Sequence, residues 1–146
     1  MPHFDIAELS RDHLCEVAEL ERACFSEPWS QTSLEMLVRD GAFGVVAICD
    51  MKVAAYGGMT VVLDEGNITN IAVDPAYRHM GMGRAVLREL LSRAGKMGVT
   101  SVFLEVRESN FAAQSLYIGE GFEVSGTRKG FYRAPLENAV LMVKRL

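Results

Sequence analysis

Cysteine, histidine and tryptophan are scarce in this chain, at three, three and one among 146 residues. Cys15, Cys24 and Cys49 are odd in number and far apart, so no disulfide framework is expected and a reducing cytoplasm suits the chain. All three thiols are expected to be buried as small apolar side chains. His3, His13 and His79 stand at no metal-ligand spacing with one another or with cysteine, so no metal is expected. No apolar run approaches the ~18 residues that span a membrane. The opening MPHFDIAELSRD has neither a basic head nor a long apolar core, so no secretory signal is expected. Basic residues are outnumbered, 15 against 19 acidic ones, and the net charge of −4 argues against a general nucleic-acid binder.

What is present suits one globular domain over residues 1–146, with 49% apolar and 23% charged residues. Charge is unevenly placed. Residues 1–50 hold ten acidic and three basic residues, whereas residues 78–96 hold Arg78, Arg84, Arg88, Arg93 and Lys96 against Glu89 alone. The first segment suits a cationic partner and the second an anion, unless the second is only a solvated helix face.

Periodicity and punctuation give the elements. A short strand is predicted over residues 3–9, then a helix capped by Ser10 with Leu14, Val17, Ala18 and Cys24 on one side. After a turn at Pro28, Thr32 and Glu35 stand at capping-box spacing for a second helix ending at Gly41. Strands follow over 43–49 and 52–62, joined as a hairpin by CDMK, and over 67–73. Val86, Leu87, Leu90, Leu91, Ala94 and Met97 mark a helix over 83–96 that Gly98 ends. A strand over 99–106, a helix from the cap Asn110 to about Gly119, and strands over 122–132 and 139–144 complete a mixed α/β domain around one sheet.

The most informative stretch is AVDPAYRHMGMGRAVLREL, residues 72–90. Strand, glycine-containing turn and helix start form an anion site, because the first helical N–H groups lack internal partners and the helix dipole is positive there. Glycine lets a backbone approach a phosphate closely and accepts positive φ. The pattern is not a Walker loop, lacking Gly-Lys-Ser/Thr, nor G-x-G-x-x-G, since position 86 is valine. From the residues alone it reads either as an anion site or as a tight structural turn.

R-x-x-G-x-G-R after N-I-A-V-D-P resembles the pyrophosphate loop of the GCN5-related N-acetyltransferases (GNAT), and the element order fits that family along the whole chain. Residues 104–142, with L-E-V-R-x-S-N, L-Y-x-x-x-G-F and P-x-E-x-A, are similar to the bacterial ribosomal-protein alanine N-acetyltransferases within it; Pro28-Trp29 is a shorter match. The resemblance implies a GNAT fold, a mostly antiparallel mixed sheet of six to seven strands flanked by about four helices. It implies acetyl-CoA as cosubstrate. The acceptor it implies is the N-terminal α-amine of a protein, an alanine of a small-subunit ribosomal protein. The alternatives are a lysine, another N-terminus, a small amine, or a CoA-binding regulatory domain without turnover.

Acetyl transfer needs a neutral amine, and an α-amine of pKa 7.7–8.0 is only roughly a tenth neutral at pH 7. A nearby carboxylate takes its proton. Glu105 lies in the apolar strand VTSVFLEVR on the face of Ser101 and Phe103, either as a surface carboxylate or, by the resemblance, as the general base. In an apolar site its pKa would be raised. Tyr117 follows Asn110 by about two helical turns; it is a packing tyrosine or, by the resemblance, the acid that protonates the departing sulfur. The resemblance further places backbone groups of Ile71, Ala72 and Val73 against the pantetheine arm, one of their N–H groups on the thioester carbonyl, and Asn110 beside the arm. His79, Met80, Gly81, Met82, Gly83 and Arg84 would hold the pyrophosphate, with Arg78 and Arg88 adding field or meeting another phosphate. Phe25, Trp29, Phe131 and Tyr132 line a peptide groove or pack the core. Phe131 stands where the family often has tyrosine and Asn138 where it has aspartate, which removes a hydroxyl and a charge near the expected peptide site.

Overall fold

The computed structural model describes residues 3–146. Seven strands form one sheet in the order β1-β2-β3-β4-β5-β7-β6. They are β1 (Asp5–Glu8), β2 (Ala42–Cys49), β3 (Lys52–Val62), β4 (Glu65–Val73), β5 (Ser101–Arg107), β6 (Glu123–Arg133) and β7 (Leu136–Arg145). Every neighbouring pair is antiparallel except β4 and β5. The helices are α1 (Leu14–Cys24), α2 (Gln31–Leu34), α3 (Met82–Lys96) and α4 (Phe111–Gly119). The mixed α/β architecture expected from the element order is observed.

Alternation along the strands makes the sheet two-faced. Val45 and Ala47 join Val86, Leu87, Leu90 and Tyr117 on one face, while Val46 and Tyr56 join Leu14, Val17 and Leu34 on the other. Thus α3 and α4 cover one side and α1 and α2 the other. The CDMK hairpin turns on Asp50 and Met51, both at positive φ (53° and 62°), the type I′ geometry that matches strand twist. Ala54 is extra there, since Ala47 pairs with Ala55 and Ile48 with Val53.

Some local expectations change. Ser30, not Thr32, caps the second helix, its Oγ accepting from Ser33 N at 3.1 Å; one turn of α-helix then tightens into a 3-10 turn over Glu35–Val38. Ser10 starts a 3-10 turn, Arg11–His13, ahead of α1. Strand β7 is longer than expected because β5 and β6 pair with it on both edges. Of the thiols only Cys49 is buried; Cys24 is half-buried and Cys15 is exposed, because Leu14, Val17, Ala18 and Leu20 take the inward face of α1. Among the described residues no helix is long and apolar enough to cross a membrane. No cluster of three metal-ligating side chains occurs among them either.

Candidate active site

The site begins with a parting of strands. Strands β4 and β5 pair only from Glu65–Asn67 against Ser101–Phe103, yet β4 runs on to Val73 and β5 to Arg107. The cause lies on the other edge of β4. Gly57 pairs with Ile71 and Met59 with Ile68, so Thr69 and Asn70 together face Gly58 in a bulge that turns β4 away. Both positions of β3 leave little room for a Cβ. A Cβ on Gly58 would lie 2.6 Å from Thr69 Oγ1 and 2.7 Å from Leu37, and one on Gly57 2.7 Å from Leu90. Beyond Asn67 the β5-facing edge of β4 therefore keeps free backbone groups, while its other edge stays bonded to β3.

A cavity of about 740 Å³ opens in this parting. Strand β4 lines it with Ile68, Thr69 and Asn70, and β5 with Glu105 and Arg107. Phe25, Trp29, Phe131 and Tyr132 all line it too, while Phe25 and Trp29 also pack against the core on the α1–α2 side of the sheet. Glu105 is exposed on the cavity wall rather than enclosed in an apolar pocket. Burial, with the Glu105 charge second, pushes the Tyr132 phenol up to about 12. Asn110 lines the cavity and caps α4, its Oδ1 accepting from Ala113 N at 3.1 Å.

Tyr117 does not line the cavity. It lies behind the wall in the core, edge-on to Phe122 with ring centroids 5.7 Å apart. Burial pushes its phenol well up, so it keeps its proton. Asn138 also stands apart: its Oδ1 accepts from Gly130 N at 3.0 Å within the β6–β7 hairpin, away from the cavity lining. Its departure from the family pattern is thus absorbed by the hairpin, whereas Phe131 is at the site.

The far end of β4 leads into the glycine loop. Asp74 Oδ1 accepts from Ala76 N at 2.9 Å, then His79 and Gly81 both take positive φ (65° and 81°) before α3 starts at Met82. The N–H groups of Met82, Gly83 and Arg84 donate to no partner among the described residues, as the first turn of a helix dictates. A Cβ at Gly81 would meet nothing within 4 Å, so its glycine serves backbone conformation and open space. The arginines here are partly engaged. Glu120 accepts from Arg88 at 2.6 Å and lies 3.4 Å from Arg84, and the Arg88 hydrogen bond holds its carboxyl below the usual range. Arg78 donates to the Val73 carbonyl at 3.3 Å. Ile71 and Val73 are half-buried and Ala72 is buried, with their backbone on the strand that joins cavity to loop.

Two polar networks were not singled out from the sequence. Glu21 is fully buried, accepting from the Tyr56 hydroxyl, from Trp29 N at 2.8 Å and from Asn70 Nδ2 at 3.0 Å. Burial holds its carboxyl above the ordinary range. Its signal was a carboxylate at helical spacing from Val17 and Ala18, on the inward face of α1. The second network joins Glu27, Arg107 and Glu137. Arg107 reaches Glu27 at 3.3 Å and Glu137 at 3.1 Å and stacks 4.3 Å above the Tyr132 ring.

A parallel strand pair thus parts around a cavity whose wall carries a carboxylate, and β4 runs on from it into a loop at a helix start. The model of the acetyltransferase (GNAT) family matches residues 14–122, and the chain belongs to that family. It is 34% identical over 139 residues to the ribosomal protein bS18-alanine N-acetyltransferase of Escherichia coli strain K12, which covers 94% of each chain. The crystal structure of the ribosomal-protein-S18-alanine N-acetyltransferase from Escherichia coli superposes with a TM-score of 0.91 at 33% identity, covering 98% of this chain and 94% of that one. Arabidopsis thaliana NAA60 in complex with acetyl-CoA shares the fold, with a TM-score of 0.91 at 16% identity and 99% of each chain covered.

Proposed function

We propose that this chain transfers an acetyl group from acetyl-CoA to the N-terminal α-amine of a protein, the alanine of the small-subunit ribosomal protein bS18 being the acceptor. The observation that carries the chemistry is the position of Glu105 on the cavity wall formed where β5 parts from β4. Full-length similarity to the Escherichia coli enzyme supports the acceptor. A cytoplasmic setting follows from that acceptor.

Acetyl-CoA fits the groups available. The unpaired N–H groups after Gly81 suit a pyrophosphate, and the edge of β4 that β5 leaves unpaired beyond Asn67 offers amide pairing of the kind one strand gives another, with the Val73 carbonyl already taken by Arg78 and Cys24. Glu105, being exposed, takes the proton of the α-ammonium directly or through water. The freed amine attacks the thioester carbonyl, which a β4 N–H polarises. As the C–S bond breaks, Tyr117, which lies behind the cavity wall, is the candidate donor of the proton to the sulfur; the nitrogen releases its second proton to solvent, which re-protonates Tyr117, leaving the amide and the CoA thiol. The test is CoA thiol release with acetyl-CoA and a peptide beginning with a free alanine. Turnover with that peptide and none with its N-terminally blocked form is expected. Equal turnover with the blocked form would refute the α-amine as acceptor.

A further inference from the structure

The α1–α2 loop and the β6–β7 turn lie more than 100 residues apart in the chain and both line the cavity, one with Phe25 and Trp29, the other beside Phe131 and Tyr132. They are fastened to each other. Glu27 Oε1 accepts from Arg133 N at 2.8 Å and from Ala134 N at 2.7 Å, and the Ser26 hydroxyl donates to the Ala134 carbonyl. Arg107 completes the fastening from β5. Its Nη2 donates to Ser26 Oγ at 3.2 Å, Glu27 Oε1 at 3.3 Å and the Ala134 carbonyl at 3.2 Å, and its Nη1 to the Pro135 carbonyl at 3.0 Å.

Beside the turn Tyr132 pairs with Glu137 and Arg133 with Leu136, and the fastening adds to those two pairs. Strand β6 is the edge strand, and its register with β7 breaks between Arg128 and Tyr132. Arg107 stands two residues beyond Glu105, on the same face of β5. The fastening therefore registers both aromatic walls against the strand that carries the candidate base. A bidentate fork suits such a task, because guanidinium geometry is rigid.

We propose that Glu27 and Arg107 are positioning residues for the acceptor: by clasping the α1–α2 loop to the β6–β7 turn they preform the wall that receives the acceptor's first residue and set which first residues it takes. This rests on the acetyl-transfer function proposed above. A preformed wall spares the ordering of two loops when the acceptor binds, so losing it weakens acceptor binding without altering the chemical step.

The test compares wild type, Glu27→Ala, Glu27→Gln and Arg107→Lys, with acetyl-CoA and peptides beginning with free alanine or free leucine. Glu27→Ala is expected to raise the alanine-peptide KM about tenfold, with kcat within about twofold and the acetyl-CoA KM unchanged. It is also expected to narrow the alanine-to-leucine ratio of kcat/KM. Glu27→Gln keeps an oxygen for the two backbone N–H groups and should recover part of the loss; Arg107→Lys, which lacks the fork, should lie between wild type and Glu27→Ala. If Glu27→Ala fails to fold, the last two variants carry the same comparison. Unchanged acceptor KM and unchanged ratio, in variants of an active wild type, would overturn this inference alone. A wild type inactive on both peptides would refute the function itself, and this acceptor role with it.

Discussion

Replacing Glu21 by alanine removes the acceptor of the Tyr56 hydroxyl, of Trp29 N and of Asn70 Nδ2. Tyr56 is fully buried, so its hydroxyl has no route to bulk water. Asn70 borders the cavity and can be rehydrated. Two donors, Tyr56 and Trp29, are therefore left unmet, at about 1–3 kcal/mol each. Relief from burying a carboxylate offsets part of this, leaving a net loss of about 3 kcal/mol. For a chain of this length that corresponds to a fall of roughly 10 °C in Tm. Urea unfolding and thermal denaturation at pH 7 measure both quantities. A loss below about 1 kcal/mol would show that the network contributes little and that the buried carboxylate is not its hub.

Four further outcomes follow from the same structure. Because burial raises the Glu21 pKa in the folded state, its contribution to stability grows as pH falls from neutral toward the unfolded value near 4.3 and is lost as pH rises. Wild-type stability relative to Glu21→Gln should therefore increase between pH 7 and pH 4.5 in urea titrations, and a flat difference would refute it. Glu27, Glu120 and Glu137 are shifted the opposite way by their hydrogen bonds, so their contribution holds above pH ~4.3 and disappears below it. Tyr117→Phe keeps the ring against Phe122, so Tm should hold while kcat falls about 10²-fold; unchanged kcat would remove Tyr117 from the chemistry. Gly57→Ala sets a Cβ 2.7 Å from Leu90 and 2.8 Å from Val86 and should destabilise by about 1–3 kcal/mol, measured by urea unfolding.

The elements legible from sequence were those with local causes. The apolar spacing of α3, the Asn110 cap and the CDMK hairpin each depend on residues a few positions apart, and each stands where the pattern placed it. The second helix was harder, because Ser30 and Thr32 both suit a cap and the choice depends on how the 3-10 turn after Leu34 packs Leu37 into the core. The glycine loop was legible because the positive φ at Gly81 and the helix start at Met82 depend on residues a few positions apart. The parting of β4 from β5 was not, since its bulge needs Gly58 of β3 beside Thr69 and Asn70 of β4. Glu21 showed only as a charge on an apolar face, with Tyr56 and Asn70 35 and 49 positions away. Arg107 stood inside a recognised stretch, but its partner Glu27 lies 80 residues earlier. The apolar surroundings expected for Glu105 failed because strand alternation turns it into the open cavity.

The most direct test of the account is Glu105→Gln with acetyl-CoA and an alanine-initiated peptide, reading kcat alongside acetyl-CoA affinity. Loss of the base should lower kcat by about 10²–10⁴-fold and leave acetyl-CoA binding within about twofold, with activity partly returning as pH rises and the amine loses its proton unaided. A kcat equal to wild type across that pH range would contradict Glu105 as the base and, with it, the assignment of the cavity as the place where the acceptor amine reacts.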